Sequence, residues 1–336
     1  MKVSGMLGAD LDQAPRAIAE LEARGYDGAF SAEINNDPFF PLVVAAEHSE
    51  RIALTTAISV AFARNPMTVA YLAWDLNQYS RGRFSIGLGS QVKAHITRRF
   101  SMPWSQPAAR MREFIEALHA IWHCWETGEK LAFEGEFYRH NLMTPMFTPT
   151  DKGYGSPGVR LAAVGPLMTE VAASVADGMI AHGFSTEKYL REVTLPAVER
   201  GLRESGRDRA SFDISAPVFV VSGKDEQAFA ASKAAVQGQI GFYASTPAYR
   251  PVLELHGWGD LQEEANRLTR EDRWREMGEL ITDEVLETFA IVTEDIDAVP
   301  ALLQERFGGL VDTWMCTVDA GDRERQRALL KAVQAD

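Results

Sequence analysis

Short β-branched or apolar segments alternate with amphipathic helical segments along almost the whole chain, and this alternation restricts the possible folds most. Such alternation is typical of a parallel sheet, because each helix carries the chain back to the start of the next strand. About eight strands are predicted, the number that closes a (β/α)₈ barrel. The predicted strands cover residues 2–7, 28–32, 52–60, 84–88, 159–164, 179–181, 214–221 and 311–318.

A doubly wound open sheet is the alternative fold, and its signature is a G-x-G-x-x-G turn after the first strand. Residues 5–10 read GMLGAD, which does not fit. We therefore expect an α/β fold, a single TIM-barrel domain over residues 1–336, with the active site at the carboxyl ends of the strands. Segments 129–158 and 244–290 break the alternation and are predicted insertions above those ends. For the second segment, 244–290, a peripheral or dimer-packing role is an equal alternative.

Charge and hydropathy exclude several classes of protein. The chain has 47 acidic and 34 basic residues and a net charge of −13, which argues against nucleic-acid binding. No apolar stretch approaches the ~20 residues of a membrane helix, and Asp10 and Asp12 interrupt any signal-peptide core. His119 and His123 share a helical face without a third ligand, so no metal site is predicted. We expect a soluble cytoplasmic protein that binds neither nucleic acid nor membranes.

Several short motifs follow one another in a characteristic order. The central ones are Thr56-Ala57-Ile58, Asn65-Pro66, Ser80-Arg81-Gly82-Arg83-Phe84 and Gly87-Leu88-Gly89. Others are Ser31-Ala32-Glu33, Ala163-Val164-Gly165-Pro166 and Ala176-Asp177-Gly178. Together they resemble the luciferase-like monooxygenase family and cover most of the chain apart from 244–290. The resemblance implies a small-molecule substrate and a homodimer.

The segment 89–104 is similar to the branch of this family that uses coenzyme F420, an 8-hydroxy-5-deazaflavin. This resemblance implies an oxidoreductase that moves a hydride between C5 of the deazaflavin and a small organic substrate. Two positions depart from the pattern. Ile34 stands where many F420 relatives carry His, and Val92 stands where relatives that oxidise sugar phosphates carry Glu. A sugar-phosphate substrate is therefore disfavoured.

The resemblance also implies where the coenzyme binds. A non-proline cis peptide between Ala57 and Ile58 is expected to support the middle ring. Gly87 and Gly89 have no Cβ, so a planar ring can approach them closely, although tight inward packing is an alternative reason for both glycines. The helix start after Gly165 offers free N–H groups to the phosphate, and Thr169 could add a hydroxyl. The predicted coenzyme-binding residues are Ala57, Ile58, Gly87, Gly89, Ser90, Gln91, Val164, Gly165, Pro166 and His182.

Glu33, Lys93 and His95 are the predicted catalytic residues. Histidine can exchange a proton near neutral pH. Our hypothesis is that His95 donates or accepts the proton that accompanies hydride transfer, while Lys93 holds the coenzyme or a substrate oxygen. Arg64 could reach anionic groups of the coenzyme.

Two alternatives remain at this point. The first keeps the fold and replaces the coenzyme, giving an FMN-dependent monooxygenase that uses reduced flavin and O₂. The strand-end glycines and the phosphate turn would serve either coenzyme. The second is a barrel that has lost catalysis and only binds a flavin or deazaflavin, which the departures at Ile34 and Val92 would permit.

Overall fold

Eight parallel strands close into a barrel in the computed structural model, which describes residues 1–335. Strand one pairs with strand two on one side and strand eight on the other, so that Met6 lies opposite Phe30 and Val3 opposite Trp314. This closure removes the free edges of the sheet and confirms the predicted (β/α)₈ barrel. Strands one to eight are Lys2–Met6, Gly28–Ser31, Ala53–Thr56 continued by Ser59–Val60, Phe84–Gly89, Gly158–Ala163, Gly178–Ala181, Asp213–Ala216 and Thr313–Cys316.

Two of the predicted strands are interrupted. Strand three breaks at Ala57 and Ile58 and then resumes beside strand four. Strand seven ends at Ala216, because Pro217 has no N–H to donate to a sheet ladder. Residues Phe219–Val221 pair instead with Ala290–Val292 outside the barrel.

The helices alternate with the strands and pack around the barrel. Proline recurs in the first helical turn, for example at Pro66 and Pro107, where its missing N–H removes no helical hydrogen bond. No helix within residues 1–335 has both the length and the apolar character needed to cross a bilayer. The helices of at least five residues are Ala14–Arg24, Phe39–Glu47, Pro66–Tyr79, Pro107–Thr127, Pro166–Val175, Leu195–Ser205, Glu226–Ala244, Arg250–Glu254, Gly259–Arg270, Asp283–Phe289, Val299–Phe307 and Arg323–Gln334, with π-helical turns at His95–Arg99 and Leu190–Thr194. Shorter turns are Ala61–Ala63, Pro145–Phe147, Glu187–Tyr189, Arg209–Ser211, Pro247–Tyr249, Gly278–Leu280 and Ile296–Ala298.

The interior of the barrel changes from polar to apolar along its axis. Near the amino ends of the strands, Arg160 pairs with Asp213, which also accepts hydrogen bonds from Ser215 (2.7 Å) and Thr313 (2.9 Å). Further along, an apolar layer forms from residues of three different strands and packs against the break in strand three. This layer is the floor of the carboxyl-terminal face, and it consists of Phe30, Ile180 and Met315.

The first predicted insertion contains a short hairpin, Phe133–Glu134 with Arg139–His140. The buried carboxylate of Glu113 accepts hydrogen bonds from the backbone N–H groups of Glu136 (2.8 Å), Phe137 (2.7 Å) and Tyr138 (2.5 Å). The hairpin turn is thus attached to the helix that follows strand four.

The second insertion has a hydrophobic core of its own. It is longer than predicted, because the chain leaves the barrel at Phe219–Val221 and returns at Ala290–Val292. Its helices pack against Phe184 and Tyr189, which follow the end of strand six. The insertion therefore contacts the segment that follows strand six.

Candidate active site

At the end of strand two, Glu33 is engaged in a half-buried ion pair. Its carboxylate accepts a hydrogen bond from the N–H of Val60 (2.8 Å) and pairs with Arg64 (2.6 Å). The second guanidinium nitrogen of Arg64 pairs with Asp37 (2.9 Å). The charge of Arg64 is therefore matched within the protein, so the predicted reach toward coenzyme anions is not supported. Glu33 joins the ends of strands two and three, and its catalytic role stays a prediction.

The break in strand three contains the expected cis peptide bond between Ala57 and Ile58. Both residues are half-buried, and both pack against the apolar layer of Phe30, Ile180 and Met315. The backbone N–H of Glu33 donates to the carbonyl of Ile58 (3.1 Å). Small and apolar groups thus form the floor at this point.

The two glycines of strand four are explained by packing between strands. A Cβ at Gly87 would lie 1.9 Å from the carbonyl oxygen of Thr56, whose hydroxyl also exchanges hydrogen bonds with the backbone of Gly87. A Cβ at Gly89 would lie 2.9 Å from side-chain carbons of Ile58. The close approach that these glycines permit is therefore to strand three. This is the packing reason that the sequence left open for both glycines, and it leaves room for a ligand above Gly89.

Beyond strand four the chain turns outward. Gln91 has a left-handed backbone (φ 60°), and its Oε1 accepts a hydrogen bond from the N–H of Val92 (2.9 Å). Ser90 is half-buried. Lys93 and His95 are exposed, and within residues 1–335 neither side chain forms a hydrogen bond or ion pair. Lys93 and His95 therefore lie on a solvent-facing loop, whereas Glu33, the third predicted catalytic residue, is ion-paired with Arg64.

The turn after strand five fits the predicted anion site. Gly165 is the N-cap of the helix that begins at Pro166, and the next N–H groups have no partner within that helix. A Cβ at Gly165 would meet no atom within 4 Å. Thr169 is fully buried and its hydroxyl donates to the carbonyl of Gly165 (3.1 Å), so its expected contribution to phosphate binding is not supported. Val164 precedes the turn, and its carbonyl accepts a hydrogen bond from Tyr189 (3.3 Å).

His182 follows strand six and is held as a neutral imidazole. Its Nδ1 accepts a hydrogen bond from the N–H of Phe184 (3.0 Å), which places the proton of the neutral ring on Nε2. Burial lowers the pKa of His182 to about 4. Near neutral pH this residue is therefore a hydrogen-bond donor and not a proton source.

Two tyrosines of the second insertion complete the surroundings of His182. The ring centroids of Tyr243 and Tyr249 each lie 4.5 Å from that of His182. Burial raises the pKa of Tyr243, and it raises the pKa of Tyr249 to about 12. Sequence reasoning missed both tyrosines, because no motif marks them and only the folding of the insertion brings them to strand six. Phe184, which follows His182 by two residues, is a fully buried core residue.

The fold and these strand ends define the chain as a (β/α)₈ barrel whose candidate active site lies at the carboxyl ends of its strands. The luciferase-like monooxygenase family model matches residues 2–313, so the chain belongs to that family. An uncharacterized protein of Mycobacterium tuberculosis is 50% identical over 331 residues, covering 98% of this chain and 97% of that protein. A 5,10-methylenetetrahydromethanopterin reductase of Methanolobus tindarius is 26% identical over 305 residues, covering 89% of this chain and 87% of that protein.

Solved structures show the same fold. A coenzyme F420-dependent tetrahydromethanopterin reductase from Methanopyrus kandleri superposes with a TM-score of 0.79 at 20% identity, covering 99% of this chain and 98% of that one. The oxygenating component of a 3,6-diketocamphane monooxygenase from Pseudomonas putida, in complex with FMN, gives a TM-score of 0.66 at 16% identity, covering 99% and 96%. Of these two structures with the same fold, one is described as dependent on coenzyme F420 and the other is a complex with FMN.

Proposed function

We propose that this chain is an F420-dependent oxidoreductase that transfers a hydride between C5 of the deazaflavin and a small organic substrate. The observation that carries the proposal is its similarity, over most of its length, to a 5,10-methylenetetrahydromethanopterin reductase. The fold similarity to a reductase described as dependent on coenzyme F420 supports the same coenzyme. We also propose that the enzyme acts as a homodimer in the cytoplasm.

The residues at the strand ends fit a flat coenzyme with a phosphate. Ala57 and Ile58 offer a small, half-buried floor for a ring, beside Gly89 and Ser90 at the end of strand four. The open space at Gly165 and the free N–H groups after Pro166 suit a phosphate at a helix N-terminus. When bound there, the deazaflavin supplies the hydride chemistry, and the protein supplies binding and orientation.

The protein must then handle the proton that accompanies the hydride. The ion pair with Arg64 engages Glu33, and His182 is a neutral donor, so His95 is the histidine on this face that is free to exchange a proton with a bound substrate. Lys93, two residues earlier, is placed to hold an oxygen of the coenzyme or substrate. In this proposal His95 is the acid or base and Lys93 binds an anion or a carbonyl oxygen.

An FMN-dependent monooxygenase is the second candidate, favoured by the fold similarity to a monooxygenase in complex with FMN. Anaerobic turnover separates the candidates. Purified protein and reduced F420 are mixed without oxygen and with a panel of ketones, aldehydes and activated alkenes, and oxidation of the coenzyme is followed by absorbance. The proposal expects oxidation that depends on one class of acceptor.

Two results would count against it. Product formation only with reduced FMN and O₂ would make the chain a monooxygenase. Coenzyme binding without turnover of any acceptor or oxygen would make it a binding protein. Gly165→Leu, which should block the phosphate turn and leave the fold intact, is the control for turnover at another site.

A further inference from the structure

The segment 76–112 contains no acidic residue, although 47 of the 336 residues of the chain are Asp or Glu. The same segment contains seven basic residues. It includes strand four and the loop that follows it at the carboxyl-terminal face. In a chain with a net charge of −13, this charge distribution makes the loop a local positive region.

Three cations of this loop form what we call the strand-four rim: Lys93, Arg98 and Arg99. Lys93 and Arg98 are exposed and lie one π-helical turn apart. Arg99 donates a hydrogen bond to the carbonyl of Ile34 (2.8 Å), which holds the loop against the end of strand two. Within residues 1–335 none of the three pairs with a carboxylate, whereas Arg64 nearby has two carboxylate partners.

Three acidic residues near this end are engaged within the protein. Glu33 and Asp37 pair with Arg64, and Glu113 accepts three backbone hydrogen bonds from the hairpin. Arg110, in the first turn of the helix that follows this loop, is buried and donates only to neutral oxygens of Pro103 (2.7 Å) and Tyr138 (2.9 Å). Since no carboxylate within residues 1–335 pairs with the rim, its positive charge is available to a ligand.

We propose that the strand-four rim binds a carboxylate-bearing extension of the ligand in the active site. The proposal rests on the proposed function. Such an extension has two sources, the glutamate carboxylates of the F420 tail, which lie beyond the phosphodiester proposed to bind at Gly165, or a carboxylate on the substrate. Each exposed cation contributes modestly, and salt screens the contribution, so the rim adds affinity and attracts anions at low ionic strength.

The test compares F420 with its riboside, which keeps the deazaflavin ring and lacks the phosphate and glutamates. Both ligands are titrated, at low and at high salt, into three proteins. These are the wild type, the single variant Arg98→Gln, and a double variant that combines Arg98→Gln with Lys93→Gln. Arg81→Gln is the matched control, because Arg81 is exposed in the same acid-free segment at the opposite end of strand four. We expect F420 binding to weaken about threefold in the single variant and roughly tenfold in the double variant. The loss should shrink at high salt, and Arg81→Gln should have no effect.

The riboside arm and a substrate arm separate the sources. Riboside affinity unchanged by Arg98→Gln, with F420 affinity reduced, supports the coenzyme tail. If Arg98→Gln leaves the F420 affinity unchanged but raises the KM for a carboxylated acceptor and not for its neutral analogue, the substrate is the source of the anionic group. If Arg98→Gln alters none of these quantities, or weakens F420 and the riboside equally, the inference is wrong while the proposed function stands.

Failure of the proposed function is recognisable separately, because the wild type would then bind neither F420 nor the riboside. In that case the KM for a carboxylated substrate, measured with reduced FMN and O₂, becomes the probe for the same salt series. A KM that is identical in the wild type and the double variant would then overturn the rim as well.

Discussion

Two regions of the same face, the loop after strand four and the end of strand six, carry a histidine in opposite environments. His95 is exposed on a cationic loop, and its side chain has no partner within residues 1–335. His182 is enclosed by two tyrosine rings, and a backbone hydrogen bond determines its tautomer. The same side chain is therefore available for proton exchange in one region and restricted to neutral hydrogen bonding in the other. Both histidines follow the end of a strand, so their position in the sequence does not separate them. The packing around each side chain determines what chemistry it can perform.

The largest effect that separates the two regions is expected from His95→Ala. Positioned acid–base catalysis is typically worth ~10²–10⁴ in rate, so kcat should fall by that order. The coenzyme Kd should change little, because His95 is not among the groups proposed to hold the ring or the phosphate. Steady-state kinetics with the acceptor found in the anaerobic panel, together with coenzyme titration, provide the measurement.

His123→Ala is a suitable control, because His123 is an exposed histidine on the helix that follows strand four. A wild-type kcat in His95→Ala combined with lost coenzyme affinity would show that His95 anchors the coenzyme. The proton would then come from water, since Glu33 is ion-paired and His182 is neutral.

The second prediction concerns stability and pH. The pKa of His182 is lowered by burial from 6.5 to about 4, so as the pH falls through this range the unfolded chain takes up a proton that the folded chain does not. Its contribution to stability is therefore complete above about pH 6.5 and is lost as the pH falls toward 4. The loss is at most about 3 kcal/mol. Urea unfolding of the wild type and His182→Phe at about pH 7.5 and about pH 4.5 measures it.

The substitution itself changes stability at both pH values, so the informative quantity is the difference between them. We expect a smaller loss of the free energy of unfolding on acidification in His182→Phe than in the wild type. The same loss in both proteins would mean that His182 takes up its proton in the folded state, and the contrast with His95 would then disappear.

A smaller effect is expected at the phosphate turn, where two glycines can be compared. Gly165→Leu should weaken coenzyme binding by about 2 kcal/mol, roughly thirtyfold, because a side chain would obstruct the N–H groups of the turn. Its stability should be unchanged, since the space around Gly165 is open. Gly87→Ala should behave in the opposite way and unfold at lower urea, because its Cβ would collide with the carbonyl of Thr56.

Thermal or urea unfolding and coenzyme titration of both variants check this pair. A folded Gly165→Leu protein with wild-type coenzyme affinity would show that the phosphate does not bind at the turn after strand five. A stable Gly87→Ala protein would show that strands three and four can separate without cost.

The sequence predicted the barrel because the alternation of strands and helices is a local pattern repeated eight times. The family motifs likewise predicted the cis bond at Ala57 and the turn at Gly165, since both depend on short segments. The partners of Arg64 and the reason for Gly87 depend on contacts between strands, which no single segment records. Tyr243 reaches strand six only because an insertion distant in the chain folds over it.

The central claim is that this carboxyl-terminal face binds a deazaflavin, and parallel titrations of the protein with F420, FMN and NADPH test it most directly. The account predicts a micromolar or tighter Kd for F420, corresponding to about −8 kcal/mol or better. It predicts FMN binding at least about tenfold weaker and no comparable binding of NADPH. Equal or preferential binding of FMN would contradict the claim and favour the flavin monooxygenase.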